Sequence, residues 1–539
     1  MEPSRPTAAR LRLPDKLIPY VICLGVFLVY LLFLTRNYYW DGVVFAETIE
    51  RATSLPVLFH PNHLLYNVVG YLLYKAAGGF GRTARPLLVL QISNCLFSAI
   101  ALAVLYRILK RTLISGYLAA TLTLLFAFSA TWWKFSTDAD AYISSTLCIL
   151  IAFLLVLPSA EPRPILVALA HVCALLLHQL AIFFFPVAAL GIFYQDRSSS
   201  LTVRIRRVLQ YTAVTAVLTV GIYVCCFYLA FRTTSPIAFL RWITYYTPEN
   251  GFTFNPWKDL TASVSGSLRL FFGGRFNLLT PWLNPAVFTL IAILILCVAL
   301  LAIRILRTPK APFAFLRALP RLAYNAPDGA SSEQAALALL CIVWCSTYVV
   351  FLFFFIPFNA FYRLFYLPPL VLLLGLAIAR TRASIGLRRA GCAALAVAAM
   401  ALCNFLFLIF PYSHVRQDTP LSLALSMNGI WTEATEVRYL NKNTDDYLLS
   451  YFNPSTKWIA LNPADLGRLV GKLQKVYADG GEVWLETTAL EAIAAQPGGE
   501  DWLRAHTTGK EEHKLTAHGN DIKLVQVFPR VQDPDRTSQ

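Results

Sequence analysis

The sequence predicts an α-helical polytopic membrane protein of about eleven transmembrane helices, with a small soluble α/β domain at its C-terminal end. Of its 539 residues, 57% are hydrophobic and only 14% are charged, whereas about a quarter of an ordinary soluble domain is charged. Apolar runs of bilayer-crossing length recur along residues 17–412 and then stop. Lipid is therefore expected to be the main solvent of this part of the chain.

The net charge of +16 belongs to the apolar part. Residues 1–412 carry 33 Lys and Arg against 13 Asp and Glu, whereas residues 413–539 carry 13 against 17. Basic residues at the ends of apolar runs are typical of the positive-inside rule. The charge therefore predicts membrane topology and argues against nucleic-acid binding.

A membrane-spanning helix needs about 20 mostly apolar residues. The predicted spans lie near 17–35, 86–108, 114–130, 142–158, 165–178, 180–194, 209–230, 283–303, 336–356, 362–379 and 390–412. With a cytoplasmic N-terminus at 1–16, the loops on the cytoplasmic side hold clusters of Arg and Lys at 107–111, 197–207, 304–321 and 380–389, which makes this orientation self-consistent.

The same orientation places three loops and the C-terminal domain on the extracytoplasmic face. The loops are 36–85, 131–141 and 231–282. An apolar, Tyr-rich stretch at 63–77 is too short to span and suits a helix along the interface, and the aromatic third loop suits another interfacial segment.

The predicted C-terminal domain, 413–531, alternates between β-like and helical patterns, which indicates an α/β domain. The β-like runs are 447–452, 458–461, 482–486 and 521–527, and the helical patterns lie around 463–477 and 490–495. Residues 532–539 are polar and are predicted to form a flexible tail.

Acids in the apolar part are informative because a carboxylate near lipid is costly and usually functional. Asp41 and Glu47 follow the first predicted helix, and Asp138 and Asp140 separate the third from the fourth. A solvated loop charge is the simpler interpretation for Glu50 and Asp259, but not for Asp41 among its aromatic and apolar neighbours.

Other polar side chains are predicted on the same outer face. They are His60, His63, Lys134, His178, Tyr362 and Arg363. Taken alone, His178 is more simply a satisfied core histidine or a hairpin turn, and the two first-loop histidines could be interfacial. The joint pattern of acids, histidines and cations favours a site.

Four stretches resemble the GT-C superfamily of membrane glycosyltransferases, which use polyprenyl-phosphate sugars. YWDG at 39–42 with FHPNHLLY at 59–66 is similar to the first outer loop of that family, and FSTDADAY at 135–142 to the second. LHQL at 177–180 resembles the His-containing turn of the protein O-mannosyltransferase-like branch, and RLFYLPP at 363–369 resembles the start of a late helix.

The resemblance implies an inverting transfer of a sugar, with mannose one candidate, to an acceptor hydroxyl on the extracytoplasmic face. Because phosphate is already a good leaving group, one general base suffices, and by resemblance Asp41 occupies its position. Arg363, Lys134, His60 and His63 are candidates for the donor phosphate. Further substrate-binding candidates are His178, Tyr362 and Glu47.

Asp138 and Asp140 are candidates to hold Mg²⁺ or Mn²⁺ through their carboxylate oxygens, or instead to orient Lys134. The expected partners are a polyprenyl-phosphate-linked sugar, membrane lipid, and a protein, lipid or glycan acceptor.

Two other functions fit a polytopic chain, namely a transporter or flippase and a non-enzymatic subunit of a polysaccharide assembly system. A transporter should place ionisable residues near mid-membrane and show paired broken helices, whereas the acids of this chain sit at helix ends on one face. A compact chain without long inserted loops favours a bacterial inner membrane over the endoplasmic reticulum.

Overall fold

The structure, a computed structural model, describes most of the chain. The described residues are 17–79, 85–113, 115–158, 161–196, 198–245, 252, 254–306, 330–380, 387–415, 418–428, 431, 435–439, 446–461, 466–507, 512–517 and 520–528. The predicted cytoplasmic segment 1–16 and the predicted flexible tail 532–539 lie outside them.

Contacts between Cα atoms divide the chain into two compact units. One, the helical unit, comprises Met1–Leu34 and Thr48–Pro411. The other, the C-terminal unit, comprises Thr35–Glu47 and Tyr412–Gln539. The short segment that carries Asp41 and Glu47 is thus grouped with the residues that follow the last apolar run.

Helices account for nearly all of the described chain before residue 413. In order they are α1 (Ile18–Leu32), α2 (Trp40–Arg51), α3 (Tyr66–Gly79), α4 (Pro86–Leu113), α5 (Gly116–Ala127), α6 (Ala130–Ser136), α7 (Tyr142–Leu155), α8 (Pro164–Leu177), α9 (Phe185–Gln195), α10 (Leu201–Phe231), α11 (Pro236–Thr244), α12 (Pro256–Phe271), α13 (Pro285–Leu306), α14 (Ala330–Phe354), α15 (Leu367–Arg380), α16 (Leu387–Asn404) and α17 (Phe410–Tyr412). Short 3-10 segments lie at Leu55–Leu58, Pro61–His63, Gln179–Phe184, Phe276–Leu278, Thr280–Trp282 and Tyr362–Tyr366, and a π-helical turn, Phe405–Ile409, joins α16 to α17.

The protein is an integral membrane protein. Five helices of the described residues are long and apolar enough to cross a bilayer, namely Pro86–Leu113, Leu201–Phe231, Glu333–Phe354, Tyr362–Ala379 and Gly391–Tyr412. Helices α5 and α6 meet at a bend of 67° and would form a sixth span as a pair. The other predicted spans coincide with shorter apolar helices, so the number eleven and the sides of the termini stay predictions.

The segment predicted to lie along the membrane interface in the first outer loop is helical. The predicted interfacial helix at 63–77 is α3, preceded by the 3-10 turn Pro61–His63. Small side chains let these elements pack closely, since a Cβ on Gly70 of α3 would lie 2.7 Å from Leu90 and 2.8 Å from Ile49. The loop that carries His60 and His63 is held by hydrogen bonds, because Tyr223 of α10 and Gln179 both donate to the carbonyl of Pro61, at 2.8 and 2.9 Å.

The C-terminal unit contains a five-stranded mixed sheet of order β2-β1-β3-β5-β4. The strands are β1 (Thr435–Tyr439), β2 (Thr456–Ala460), β3 (Glu482–Glu486), β4 (Glu512–Ala517) and β5 (Asn520–Val527), and the helices are α18 (Thr419–Ser426), α19 (Asp446–Phe452), α20 (Leu466–Ala478), α21 (Thr487–Ala494) and α22 (Gly499–Thr507). β1 pairs in parallel with β2 and β3, and β5 pairs antiparallel with β3 and β4. The predicted small α/β domain is thus present as a sheet with helices.

The core of this unit lies between the sheet and its helices. Val483 and Leu485 of β3 contact Leu473 of α20 and Ile493 of α21 in one buried cluster. Alternate residues of β3 supply this face, as expected for a strand whose side chains alternate between two sides.

One predicted strand is wrong, and two strands were not predicted. Residues 447–452 form the helix α19, in which Leu448, Leu449 and Tyr451 are buried. A short apolar run does not distinguish a strand from a buried helix, and Asp446, whose carboxylate accepts from the N–H of Tyr447, starts the helix. β1 and β4 carry charged side chains that obscure their alternation.

Candidate functional site

Three histidines from distant parts of the sequence meet in the helical unit. His60 precedes the 3-10 turn Pro61–His63, and His63 is the last residue of that turn. Their rings stack with centroids 5.2 Å apart. His178 follows the last residue of α8, and its ring lies edge-on to that of His63 at 4.6 Å. The predicted break at His178 is therefore a turn that delivers a side chain to this cluster.

Aromatic residues from two further elements enclose the histidines. Tyr142, the first residue of α7, lies 4.8 Å from the ring of His178. Tyr362 and Phe365, from the segment before α15, lie 5.9 and 5.1 Å from the same ring. The predicted site residue Tyr362 is thus part of the cluster. Tyr142, the last residue of the FSTDADAY stretch, is also part of it, although no role was predicted for this residue.

The hydrogen bonds of His178 define what it can offer a ligand. Its Nδ1 accepts from the backbone N–H of Leu180 at 3.1 Å, so in the neutral ring the proton lies on Nε2. The ring is buried, and Nε2 has no hydrogen-bond partner among the described residues. A buried N–H donor without a partner is uncommon, and it is suited to bind an acceptor atom of a ligand.

Burial keeps the first-loop histidines neutral. It lowers the pKa of His60 to about 4. It also lowers the pKa of His63 well below its usual value, with further lowering from His178 and His60. These side chains can therefore contribute hydrogen bonds at neutral pH but no positive charge.

The turn with Asp138 and Asp140 lies fully buried against α4. Asn94 of α4 donates from Nδ2 to the backbone carbonyls of both acids, at 2.7 Å each. Gln91, one turn earlier, donates to the carbonyl of Thr137 at 2.9 Å. Two amide side chains of α4 thus replace water for the backbone of this turn, as buried carbonyls require.

The carboxylates of this turn are engaged by their own surroundings. Asp138 accepts from the N–H of Ala139 at 2.9 Å, and Asp140 accepts from the N–H of Ala141 at 3.0 Å. Lys134 donates from Nζ to Asp138 Oδ2 at 2.7 Å, in an ion pair whose lysine is 13% exposed. This geometry supports the alternative in which Asp138 orients Lys134.

The same contacts occupy the carboxylate predicted to bind a metal ion. Both oxygens of Asp138 already accept hydrogen bonds, and a cation there would displace Lys134. Within the described ranges, no group of three or more His, Cys, Asp or Glu side chains is arranged to hold a metal ion. The contacts of Asp138 favour its ion pair with Lys134 over a Mg²⁺ or Mn²⁺ site, which needs several oxygen ligands, and metal binding stays a prediction.

Two tyrosines connect the histidines to the acidic turn. Tyr66 follows His63 by three residues, and the pKa of its hydroxyl is raised by burial first and then by the charges of Asp140 and Asp138. Tyr142 follows Asp140 by two residues and contacts His63 edge-on at 6.3 Å. The structure therefore brings the predicted histidines and the Lys134 turn into one region.

The hydrogen bonds of the Arg363 side chain are made to residues outside the histidine cluster. It is fully buried, and it donates to the carbonyls of Asn359 and Pro357 at 3.1 and 2.6 Å and to the Tyr366 hydroxyl at 2.6 Å. A Cβ on Gly266 of α12 would lie 2.3 Å from its Nε. These contacts support a structural role, and binding of phosphate by Arg363 stays a prediction.

Asp259 was interpreted from the sequence as a solvated loop charge, and this interpretation is wrong. The residue is buried on α12, where Ser263 and Gly266 are also buried. Its Oδ2 accepts from the N–H of Asn255 at 2.6 Å, while the Asn255 side chain accepts from the N–H of Lys258. This reciprocal capping, familiar at helix starts, explains its burial. Glu50 is instead paired with Arg85 near the surface.

Asp41 and Glu47 belong to the C-terminal unit. Asp41 lies half-buried in the first turn of α2, where the helix dipole favours a negative charge. Glu47 lies in the same helix and is also half-buried.

These helices and the C-terminal α/β unit define the class of the protein, a polytopic membrane protein that also contains an α/β unit. No protein-family model matches the chain, and no curated protein sequence matches it.

The comparison with solved structures supplies the particulars. ArnT from Cupriavidus metallidurans, bound to undecaprenyl phosphate, is similar with a TM-score of 0.59 and 11% identity, over 96% of this chain and 98% of ArnT. The oligosaccharyltransferase of Archaeoglobus fulgidus, in complex with zinc and sulfate, is similar with a TM-score of 0.48 and 13% identity, over 93% of this chain and 72% of its own. At such identity, the likeness to ArnT establishes the fold alone, and at the level of the fold it confirms the resemblance predicted from the sequence motifs.

Proposed function

We propose that the protein is a membrane glycosyltransferase that moves a sugar from a polyprenyl-phosphate donor to an acceptor hydroxyl, with inversion. The observation that carries this is the buried Nε2–H of His178, without a partner among the described residues, in a ring of aromatic side chains. One of these side chains, Tyr142, lies two residues after the turn whose Asp138 is paired with Lys134. The fold shared with ArnT, which binds undecaprenyl phosphate, supports the donor class. The acceptor is a protein, lipid or glycan, and mannose is one candidate for the sugar.

Lys134 and His178 are proposed to bind the donor phosphate. Lys134 supplies a positive charge that Asp138 fixes in place, and His178 supplies an N–H donor in a buried setting. Such preorganised groups stabilise the charge that develops on a leaving phosphate. His60, His63 and Tyr362 are proposed to line the sugar or phosphate, with Glu47 as a further substrate-binding residue.

Asp41 is proposed as the general base. The acceptor oxygen attacks the anomeric carbon while the bond from that carbon to the phosphate oxygen breaks. The acceptor proton passes to the Asp41 carboxylate, and the polyprenyl phosphate leaves with the bonding electron pair. A single displacement of this kind inverts the anomeric configuration.

An aromatic cavity offers a place for the isoprenoid chain. It measures about 450 Å³ and is lined by Phe252, Phe254, Val350, Phe351 and Phe354. Phe355, the residue that follows α14, stacks at 6.3 Å on Tyr362 of the histidine cluster. We propose that the lipid part of the donor lies along these rings, with its phosphate toward His178.

The test is transfer of radiolabelled sugar from a panel of synthetic polyprenyl-phosphate donors by the purified protein in detergent. Asp41→Asn is expected to remove turnover while leaving expression and folding unchanged, because the amide cannot take the acceptor proton. Glu50→Gln, in the same helix but paired with Arg85 near the surface, is the matched control and should keep full activity.

Two outcomes would contradict the proposal. Turnover by Asp41→Asn at the wild-type rate would remove this residue from the base role. Movement of labelled donor across proteoliposomes without any glycosylated product, unchanged by Asp41→Asn, would instead indicate the transporter alternative.

A further inference from the structure

The segment that carries Asp41 is bonded within the C-terminal unit. The backbone N–H of Arg36 donates to the carbonyl of Tyr412 at 2.6 Å. One residue later, Asn37 donates from Nδ2 to Asp418 Oδ2 at 2.8 Å. The chain that leads into α2 is therefore held by partners about 380 positions further along the sequence.

Asp418 is built to hold this segment. It is 7% exposed, and its two oxygens have different tasks. Oδ1 caps α18 by accepting from the N–H of Leu421 at 2.9 Å, which leaves Oδ2 for Asn37. A buried carboxylate that accepts from two donors is a strong and directional anchor.

An aromatic contact fixes the next residue. Tyr38 is 8% exposed, and its ring stacks on Phe452, the last residue of α19, at 6.5 Å. The following residue, Asn453, donates from Nδ2 to the carbonyl of Ala424 in α18 at 2.9 Å. Asp418, the partner of Asn37, thus lies at the start of α18, and Phe452, the partner of Tyr38, lies at the end of α19. The hydrogen bond of Asn453 connects these two helices.

We propose that the C-terminal domain is a positioning module for the general base, and that it acts through Asn37 with Asp418 and through Tyr38 with Phe452. Asp41 lies three residues beyond Tyr38, in the first turn of α2, so fixing Asn37 and Tyr38 fixes the start of that helix. Asn37 and Asp418 are positioning residues, since neither would touch the reacting atoms. This inference rests on the proposed role of Asp41.

A charge exchange across the hydrogen bond gives a sharp test in the full-length protein. Asn37→Asp places two carboxylates face to face and should lower kcat for sugar transfer about 10- to 100-fold, as expected when a reacting group is misplaced by an ångström or less. The KM for the donor should stay unchanged. The double variant Asn37→Asp with Asp418→Asn restores one donor and one acceptor, and should recover most of the wild-type kcat.

Hydrogen–deuterium exchange supplies a readout that does not depend on activity. Amides 42–47 should exchange faster in Asn37→Asp and return toward the wild-type rate in the double variant. Asn284→Asp is the matched control, because Asn284 caps the N–H of Val287 through its side-chain oxygen and aspartate can do the same. It should change neither kcat nor exchange.

The outcomes distinguish failure of the positioning role from failure of the proposed glycosyltransferase function. Faster exchange with unchanged kcat in Asn37→Asp, no change in exchange, or a double variant no better than Asn37→Asp would each overturn the positioning role. A wild-type protein that transfers no sugar from any donor would instead reject the proposed function, and the inference with it.

Discussion

Replacing Asp138 with asparagine is expected to destabilise the helical unit by about 3 kcal/mol, the lower end of the range for breaking a buried ion pair by removing one partner. Asp138 is fully buried, and its Oδ2 lies 2.7 Å from Lys134 Nζ. Asparagine keeps the Oδ1 that accepts from Ala139, but it places an amide NH₂ group where Oδ2 accepted from Lys134, so both the negative charge and the acceptor are lost. The lower end applies because Lys134 is 13% exposed and can shift toward solvent.

A double-mutant cycle tests whether the pair itself is responsible. Lys134→Met removes the ammonium but keeps an apolar side chain of similar length. The double variant should lose less stability than the two single changes together, by about 2 kcal/mol, because neither charge is then left without its partner.

Unfolding can be followed in detergent with a thiol-reactive fluorophore, since Cys95 and Cys341 are fully buried. Asp138→Asn should unfold at a temperature several degrees lower. Glu161→Gln breaks the exposed pair of Glu161 and Arg163, whose atoms are 3.1 Å apart, and should have no measurable effect. Wild-type stability of Asp138→Asn, or strict additivity in the cycle, would refute the reasoning.

Two further outcomes are expected. The free energy of unfolding should fall by about 1.4 kcal/mol between pH 7.5 and 5.5 for each histidine that is buried in its neutral form, as His63 is. Neutral His63 stabilises the fold fully above the unfolded-state pKa of about 6.5, and it stabilises the fold less as the pH falls below that value. His63→Gln should flatten that slope in unfolding measured at both pH values, and an unchanged slope would contradict the assignment. Gly266→Ala should destabilise the protein because its Cβ would lie 2.3 Å from Arg363 Nε. Gly25→Ala, with nothing within 4 Å, should not, and equal melting temperatures would contradict the packing argument.

The sequence predicted the helices of the membrane part because a long apolar run has few other stable structures in lipid. The number of membrane-spanning helices could not be predicted in the same way. Helices α8 and α9 are each short, and a 3-10 segment, Gln179–Phe184, separates them. In the C-terminal domain, 447–452 was predicted wrongly because a six-residue apolar run fits a strand or a helix, and its tertiary partners decide between them.

Site residues were predicted where a polar side chain interrupts an apolar pattern, as for His178 and the acids at helix ends. Apart from the pairing of Lys134 with Asp138, the partners of these residues were not predicted. Asn94 looks like one of several polar residues in α4, yet it holds the carbonyls of both Asp138 and Asp140. Arg363 was predicted to face a phosphate, but a 3-10 segment places neighbouring residues on different faces, so Tyr362 contacts His178 and Arg363 contacts α12.

Charge explains why the proposed donor site uses several kinds of group. A site made of buried cations would carry a large desolvation cost before any phosphate arrived. In this chain, the charge of Lys134 is balanced by Asp138, and burial keeps His60 and His63 neutral. His178 adds an N–H donor that carries no net charge in its neutral ring. Such a site would bind phosphate through oriented donors and one balanced ion pair, and it would not be left with unpaired positive charge after the polyprenyl phosphate departs.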